Sequence, residues 1–337
     1  MDFKHISVSE LGDPSVLQVR TSDIPAPGPG QVRVRVGAAG VSYGDILLRA
    51  GVIPGGPKRP FVPGFDITGV VDDVGDGVTD LAPGQLVTAL VRTGGYAEYA
   101  IVPAERLVPV PEGMDPVQVA AVVLNYFVAY QMLHRVAHVR AGQRVLVHGA
   151  AGGVGIAFLQ LGASLGVDFY GTCSAAKADI VTGLGAHAID YRSEDFLKVI
   201  RSLPGGSVDV VFDPVGGQHF RRSCKALSRG GVMVAYGQSD AFRDGRPRKL
   251  VGAWGMLGGI VLPTVAPNGK RAVFYNAWSL EKKQPQAYRE DLTRLLGLLA
   301  DGKIGPARVE RMALDEAAKA HQLIERGASA GKIVLTV

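Results

Sequence analysis

The chain contains few cysteines. Of its 337 residues only Cys173 and Cys224 are cysteine. Two cysteines exclude a framework of several disulfides, and they are too few for a four-cysteine zinc lobe. This usage is typical of a reducing compartment, so we expect a cytoplasmic protein.

The sequence also lacks an uninterrupted, strongly apolar run. The N-terminal stretch MDFKHISVSE carries charges where a signal peptide would need an apolar core, so we expect no export signal. The longest uncharged apolar stretch, 250–268, is rich in glycine and is interrupted by Pro263 and Pro267. Because a transmembrane helix usually needs about 20 apolar residues, we expect no membrane association.

No large excess of one charge sign is present. The net charge is +5, and 47% of the residues are hydrophobic, as in an ordinary globular protein. The basic residues are scattered except in RDGRPRK, 243–249, which indicates a solvated loop or, alternatively, a lip that attracts an anionic ligand. No nucleic-acid-binding motif accompanies this segment, so we expect no nucleic-acid partner.

Two different patterns of apolar residues divide the chain, and its length suits about two domains. From 32 to 107, short apolar runs alternate with glycine and proline turns, which predicts a β-barrel or sandwich. From 144 to 237, strand and helix patterns alternate five times, which predicts a doubly wound parallel sheet of the α/β class. We expect the C-terminal elements to finish this sheet and then return to the β domain. The predicted division is 1–122 with 266–337, and 123–265.

A glycine-rich turn joins the first predicted strand, RVLVH, to the first helix. Residues 149–155 read GAAGGVG. A helix N-terminus offers unpaired N–H groups and a partial positive charge, and small residues let a phosphate approach that backbone. Since the turn opens a doubly wound region, it predicts a bound dinucleotide.

The end of the second predicted strand distinguishes NAD from NADP. An acid about 20 residues after the turn would hold the ribose 2′-hydroxyl of NAD. The sequence there is YGTCSAAK, with Thr172, Ser174 and Lys177, and the nearby Asp168 stands at the opposite end of the strand. Hydroxyl groups and an ammonium suit a 2′-phosphate, so NADP(H) is favoured over NAD(H).

The stretch GQRVLVHGAAGGVGIAFLQLGA resembles the signature of the zeta-crystallin and quinone oxidoreductase branch of the medium-chain dehydrogenases/reductases, departing from it at Ala163. GVSYGDILLRAG, PGFDITGVVDDVGDGV, GGYAEYAIV and VFDPVGG extend the likeness over nearly the whole chain. LNYFVAYQML, and DPVGG followed by YGQS, are similar to homologues of the vesicle amine transport protein. The resemblance implies a GroES-like β-barrel catalytic domain, a Rossmann coenzyme domain and a homodimer.

The resemblance also implies the positions of the site residues. Those expected to bind NADP(H) are Asn125, Ala151, Gly152, Gly153, Val154, Gly155, Thr172, Ser174, Lys177, Tyr191, Asp213, Val215, Gly216, Tyr236, Gly237 and Lys332. Those expected to line the substrate pocket are Tyr126, Tyr130 and Trp254. For the apolar segment 250–263 around Trp254, a lid or a dimer contact is expected.

Zinc-dependent relatives carry a cysteine before the segment that corresponds to VSYGD and a Gly-His-Glu in the next one. This chain has Ala39 and Gly40 at the first place and Gly64-Phe65-Asp66 at the second. A catalytic zinc needs three protein ligands, and here the thiolate and the imidazole are both replaced. We therefore expect no metal.

Without a Lewis acid, reduction of an isolated ketone loses its usual oxyanion stabilisation. A quinone or a conjugated enone spreads the arriving charge itself, so hydride transfer needs mainly proximity and a dry slot. The candidate catalytic residues are Tyr43, Asp45 and Ser42. A phenol stays protonated at neutral pH, so Tyr43 could donate a proton. The alternatives are an aromatic packing role for Tyr43 and a loop-holding carboxylate for Asp45.

We therefore expect a zinc-independent, NADPH-dependent oxidoreductase that acts on a small electron-poor acceptor, a quinone or an α,β-unsaturated carbonyl. Two alternatives stay open: an enoyl-thioester reductase of lipid or polyketide biosynthesis, and a non-catalytic NADPH-binding interaction protein. The second alternative is favoured by Leu47 and Ile53, which stand where relatives commonly have tyrosines.

Overall fold

The secondary structure follows the two patterns of apolar residues seen in the sequence. The computed structural model describes residues 2–53, 55–243, 246–261, 269–329 and 331–337. Its strands are β1 (Asp2–Val8), β2 (Leu17–Asp23), β3 (Gln31–Gly40), β4 (Asp66–Val74), β5 (Leu86–Leu90), β6 (Tyr99–Pro103), β7 (Val108–Pro109), β8 (Arg144–His148), β9 (Asp168–Cys173), β10 (His187–Asp190), β11 (Val208–Asp213), β12 (Leu227–Ala235), β13 (Phe242–Arg243), β14 (Arg246–Pro247), β15 (Arg271–Phe274), β16 (Val309–Ala313) and β17 (Lys332–Thr336).

The α-helices alternate with the strands mainly in the middle of the chain. They are α1 (Tyr43–Arg49), α2 (Pro116–Gln131), α3 (Gly153–Gly162), α4 (Ala178–Gly183), α5 (Phe196–Ser202), α6 (Gln218–Ala226), α7 (Lys249–Met256), α8 (Ala277–Lys283), α9 (Pro285–Ala300) and α10 (Ala317–Glu325). Asp115 caps α2, since its side chain accepts from the amide of Val117 at 3.0 Å.

The chain divides into two units, Met1–Phe127 with Gln286–Val337, and Val128–Pro285. The first boundary falls inside α2, slightly later than the predicted 122/123. The predicted second boundary, 265/266, lies outside the described residues. The second unit continues to Pro285 because β15 pairs with β12 and completes its sheet.

The first unit is built on a mainly antiparallel sheet. Its strand order is β16-β17-β3-β4-β5-β7, and β6 also pairs with β3. Along β3 the side chains of Val32, Val34 and Val36 are buried in one apolar cluster, while the intervening residues are more exposed. This alternation is the period of two that a half-buried strand requires. The predicted β domain is confirmed.

The second unit contains a parallel sheet with the order β10-β9-β8-β11-β12-β15. When only the strands of this sheet are numbered, this is the 3-2-1-4-5-6 order of a doubly wound fold, as predicted. The order reverses between β8 and β11, which pair directly. Phe158 of α3 stacks on Phe212 of β11 with ring centroids 4.1 Å apart, so the first helix packs over this reversal point.

One helical stretch, Pro116–Val136, is long and apolar enough to cross a membrane by length and composition alone. However, 67% of its most apolar window is buried inside the fold, as in the core helix of a protein that does not span a membrane. In the apolar segment noted in the sequence, 250–268, the residues up to Val261 are helical, and residues 262–268 lie outside the described residues.

A buried ion pair fixes α1 against α10. The side chain of Arg49 is completely buried and pairs with Glu325, whose side chain is 19% exposed. Two further guanidinium nitrogens of Arg49, Nε and Nη1, have no hydrogen-bond partner among the described residues. The carboxylate of Glu325 is therefore the main counter-charge to the buried guanidinium of Arg49.

We predict that Glu325→Gln lowers the free energy of unfolding by about 3 kcal/mol, because it leaves the buried guanidinium without its counter-charge. Glu316→Gln is the matched control, since Glu316 pairs with Lys319 on the surface. A surface pair contributes at most about 1 kcal/mol. Urea unfolding followed by circular dichroism measures both variants, and equal small losses would contradict the prediction.

Candidate coenzyme-binding site

Most of the residues predicted to bind a coenzyme lie at one edge of the second unit. They follow the carboxyl ends of β8, β9, β10, β11 and β12. Because parallel strands end at the same edge of their sheet, segments far apart in sequence are brought together there. The segments after β8 and β11 flank the point where the strand order reverses, which is where doubly wound folds bind ligands.

The glycine-rich turn leaves its backbone open. α3 begins at Gly153, and its N-cap, Gly152, has no side chain to satisfy the first amides; both glycines are exposed. Gly149 has φ +68°, a left-handed conformation that favours glycine. A Cβ atom on Gly155 would clash with the Gly149 carbonyl oxygen and lie 2.6 Å from Cα of Ala150. The turn therefore fits a phosphate group against bare amides.

Ser174, Lys177 and Tyr191 come together at the ends of two adjacent strands. β9 and β10 pair in parallel, with Cys173 opposite Asp190, and the amide of Tyr191 donates to the carbonyl of Cys173 at 3.1 Å. Ser174 and Lys177 are half-buried, whereas Tyr191 is exposed. Hydroxyl and ammonium groups thus share one accessible corner.

Sequence reasoning missed Arg192 at the same corner. Its guanidinium carbon lies 5.9 Å from the centre of the Tyr191 ring, and the residue is exposed. A basic residue next to Tyr191 was visible in the sequence, but only the pairing of β9 with β10 shows that it follows the strand adjacent to the one that Ser174 and Lys177 follow. Arg192 adds a second positive charge to the corner.

Thr172 does not face outward with its neighbours, which corrects its expected place at a 2′-phosphate. Its side chain is buried, and its Oγ1 lies 3.1 Å from Nδ1 of His148. The same oxygen accepts from the amide of Gly149 at 3.2 Å. Its hydroxyl therefore contacts His148 and the first amide of the glycine turn.

Asp213, at the end of β11, is completely buried. Its Oδ1 accepts from the amide of Val215 at 2.7 Å, and its Oδ2 accepts from Ser223 Oγ at 2.6 Å and from His219 Nδ1 at 2.9 Å. Burial opposes the ionisation of Asp213, but the hydrogen bond from His219 and the neighbouring His148 help to hold the pKa of this carboxyl below its ordinary value. Asp213 therefore shapes the backbone after β11, and its expected coenzyme contact stays a prediction.

The segments after β11 and β12 approach each other closely. Gly216 has φ +89°, and a Cβ on Gly237 would lie 2.8 Å from the carbonyl oxygen of Pro214. The amide of Tyr236 donates to the carbonyl of Asp213 at 3.0 Å, and its ring packs edge-on against Phe158 of α3. Val215, Gly216 and Gly237 thus supply backbone at the edge, while Tyr236 supports α3.

In the first unit, Ser42 and Asp45 satisfy each other. The amide and hydroxyl of Ser42 donate to Asp45 Oδ2 at 2.9 and 2.6 Å, and the amide of Gly64 donates to Oδ1 at 3.0 Å. Asp45 is completely buried, and burial raises its pKa. The geometry favours the alternative role for Asp45, a carboxylate that caps α1 and holds a neighbouring loop.

Tyr43 remains the most suitable proton donor among the three candidate catalytic residues. It is half-buried at the first position of α1. Burial and the charge of Glu325 raise the pKa of its hydroxyl, so the phenol is protonated at neutral pH. Leu47, which replaces a tyrosine common in relatives, is buried.

Lys332 faces carboxylates within the first unit. Its ammonium and Oδ2 of Asp66 are buried without a hydrogen-bond partner among the described residues. Burial lowers the pKa of Lys332, opposed by Asp66 and Asp45, and burial raises the pKa of Asp66 to about 7. The expected coenzyme contact of Lys332 stays a prediction.

The residues expected near the substrate have different environments. Tyr126 is buried and its hydroxyl donates to the carbonyl of Gly305 at 2.6 Å, which favours a core role, and its expected place in a pocket wall stays a prediction. Asn125 beside it is also buried. Tyr130 is half-buried, its ring 4.3 Å from that of His134, and Trp254 on α7 is 70% exposed.

Comparison with known proteins agrees with this geometry. Residues 28–112 match the alcohol dehydrogenase GroES-like domain, and residues 184–335 match the family described as zinc-binding dehydrogenase. The synaptic vesicle membrane protein VAT-1 homolog of Rattus norvegicus is 34% identical, over 95% of this chain and 80% of its own length. A 2-haloacrylate reductase of Burkholderia is 32% identical over 97% of both chains. The chain belongs to the medium-chain dehydrogenase/reductase superfamily.

Solved structures of this superfamily resemble the whole chain. A quinone oxidoreductase of Pseudomonas syringae is 29% identical, with a TM-score of 0.89 over 99% of this chain and 100% of its own. A mycobacterial protein in complex with NADPH is 28% identical, with a TM-score of 0.87 over 99% and 100% of the two chains. The expected fold and the expected oxidoreductase family are confirmed.

We predict that the free energy of unfolding falls by about 2 kcal/mol between pH 7 and pH 5 through His148 alone. Burial lowers the pKa of His148 to about 3, opposed by the Asp213 carboxylate. Unfolded histidine binds a proton below about pH 6.5, so in this range protons stabilise the unfolded state only. The contribution of neutral His148 is therefore present at pH 7 and is lost as the pH falls toward its folded pKa.

Urea unfolding of wild type and His148→Gln at both pH values measures this contribution. The variant should lose about 2 kcal/mol less between the two pH values than the wild type. His187→Gln, which removes an exposed imidazole, is the control and should keep the wild-type difference. The same pH dependence in all three proteins would contradict a buried neutral His148.

Proposed function

We propose that this chain is an NADPH-dependent oxidoreductase that transfers hydride to a quinone or an α,β-unsaturated carbonyl compound without a catalytic zinc. The observation that carries the proposal is the exposed glycine backbone at the start of α3, on the same sheet edge as the corner formed by Ser174, Lys177, Tyr191 and Arg192. When bound, NADPH supplies the hydride. The residues of the chain bind and orient it.

The two parts of this edge suit different phosphates of the coenzyme. Bare amides and the dipole of α3 suit the pyrophosphate, which carries its charge close to the backbone. Lys177 and Arg192 supply the positive charge that a 2′-phosphate needs, and Ser174 supplies a hydroxyl. An adenosine 2′-hydroxyl would gain nothing from these charges, which supports NADPH over NADH.

The residues of the first unit do not fit a catalytic zinc. Ala39, Gly40 and Phe65 occupy the places where zinc-dependent relatives carry ligands. Both cysteines of the chain are buried in the second unit, Cys173 in β9 and Cys224 in α6. A zinc in the catalytic unit would lack a thiolate, so we propose that the acceptor itself must stabilise the charge that hydride transfer creates.

This requirement selects an acceptor in which charge can spread. A quinone or an alkene conjugated to a carbonyl meets it, whereas an isolated ketone does not. Two similar proteins, a quinone oxidoreductase and a 2-haloacrylate reductase, are named for acceptors of this kind. Tyr43, protonated at neutral pH and half-buried, is the group we propose to deliver the proton.

We predict that Arg192→Ala and Lys177→Ala each weaken NADPH binding about tenfold or more and leave NADH binding unchanged. A hydrogen bond to a charged group contributes about 1.5–3 kcal/mol, and only NADPH carries the 2′-phosphate. Fluorescence titration with both coenzymes measures the ratio. Lys198→Ala on α5, another exposed basic residue, is the control. A wild type that prefers NADH would contradict the proposed corner.

We predict that the wild type oxidises NADPH with a quinone and with a simple enone, and that a zinc chelator leaves both rates unchanged. Absorbance at the NADPH band measures turnover, and a crotonyl thioester added to the same panel tests the enoyl-thioester alternative. Tyr43→Phe should lower kcat toward the enone by about a hundredfold while NADPH binding is retained.

The results distinguish the proposed function from its alternatives. Faster turnover of the thioester than of the quinone and the enone would replace the proposed acceptor. NADPH binding without turnover of any acceptor would favour a non-catalytic coenzyme-binding protein. Loss of activity with the chelator would contradict the zinc-free mechanism.

A further inference from the structure

A connected series of hydrogen bonds lies beneath the coenzyme edge of the second unit. His148 ends β8, Thr172 lies in β9, Asp213 ends β11, and His219 and Ser223 lie in α6. The first three and Ser223 are buried, whereas the side chain of His219 is 23% exposed. Of these five residues, only Thr172 and Asp213 were predicted from the sequence to belong to the site, both as direct coenzyme contacts.

The direction of each hydrogen bond follows from the charge of Asp213. An ionised carboxylate only accepts, so Ser223 Oγ donates to Asp213 Oδ2 at 2.6 Å. The Ser223 oxygen then accepts from His148 Nε2 at 3.1 Å, which leaves His148 Nδ1 to accept from the Thr172 hydroxyl at 3.1 Å. Thr172 in turn accepts from the amide of Gly149. A neutral His148 satisfies every step of this series.

Both ends of the series are backbone amides at the coenzyme edge. One is Gly149, the first residue of the glycine turn, and the other is Val215, whose amide donates to Asp213 Oδ1. These residues open the two segments that flank the reversal of the strand order. The series therefore ties the two backbone segments to each other through side chains that lie below them.

Resting on the proposed function, we propose that Thr172, His148 and Ser223 are positioning residues for the coenzyme. They hold the glycine turn in register with the segment after β11, so that affinity for the coenzyme depends on the buried hydroxyl of Ser223. The contribution is common to NADPH and NADH, because it acts on the backbone that meets the pyrophosphate and not on the 2′-phosphate corner.

Two other uses of this cluster fit the geometry less well. Donor atoms of His148, Asp213 and His219 lie within 4.8 Å of one another, close enough for a metal ion. However, both nitrogens of His148 and both carboxylate oxygens of Asp213 already have hydrogen-bond partners. Nor is Ser223 an activated nucleophile, because its hydroxyl donates a hydrogen bond to the Asp213 carboxylate, accepts one from His148 and is completely buried.

The test compares Thr172→Val and Ser223→Ala with wild type in titrations of both NADPH and NADH. Each variant should weaken both coenzymes by the same factor, about threefold to tenfold, as expected for one lost hydrogen bond. Thr172→Ser retains the hydroxyl and should restore binding. The double variant should lose little more than the weaker-binding single variant, because both substitutions interrupt one series.

Thr88→Val is the matched control for lost stability. Thr88 is a buried threonine of the first unit whose hydroxyl donates to the carbonyl of Ile67 at 2.7 Å. It should lower the melting temperature as Thr172→Val does and leave both coenzyme affinities unchanged. This comparison separates positioning from general destabilisation.

Four results would overturn the proposal. The first is a loss of affinity in Thr172→Val for NADPH alone, which would restore Thr172 to the 2′-phosphate site. The second and third are additive losses of affinity in the double variant and unchanged affinities in both single variants. The fourth is a rise in the wild-type melting temperature with Zn²⁺ that His148→Gln abolishes, which would assign a metal site. A wild type that binds neither coenzyme would instead overturn the proposed function, on which this inference rests.

Discussion

The close approach of α3 to the end of β8 is the constraint on which the coenzyme edge depends. Gly155 permits it, because any side chain there would meet the backbone of Gly149 and Ala150. With the helix start held against the strand end, the backbone of Gly152 and Gly153 faces outward and the amide of Gly149 is directed at Thr172. The same contact thus creates the open turn and anchors it to the hydrogen-bond series below.

The sequence specified the doubly wound unit well, because its strand and helix patterns persist over five repeats and its glycine turn has a local steric cause. It specified side-chain direction poorly. Thr172 and Ser174 are two residues apart, yet Thr172 is used inside the fold and Ser174 is half-buried at the corner. Arg192 was missed because its relation to Lys177 depends on strand pairing, and the contact of Tyr126 was missed because its partner, Gly305, is remote in sequence.

The first unit keeps a cluster of buried charge, formed by Asp45, Asp66 and Lys332. Asp45 is satisfied by Ser42 and Gly64, and Asp66 accepts from the amide of Gly40 at 2.6 Å. Lys332 supplies the opposing charge. The carboxylates of this cluster thus hold loops and a strand in place.

The two parts of the coenzyme edge differ in burial: the residues below the glycine turn are buried, whereas Tyr191 and Arg192 at the corner are exposed. Below the turn, burial keeps His148 neutral, and only a neutral imidazole can accept from Thr172 while donating to Ser223. At the corner, Arg192 and Tyr191 are exposed, so the guanidinium is accessible to an anionic group. In our proposal the buried hydrogen-bond series holds the backbone that would meet the pyrophosphate, and the exposed corner would discriminate between the two coenzymes. Substitutions in the first should alter affinity alone, and substitutions in the second should alter preference.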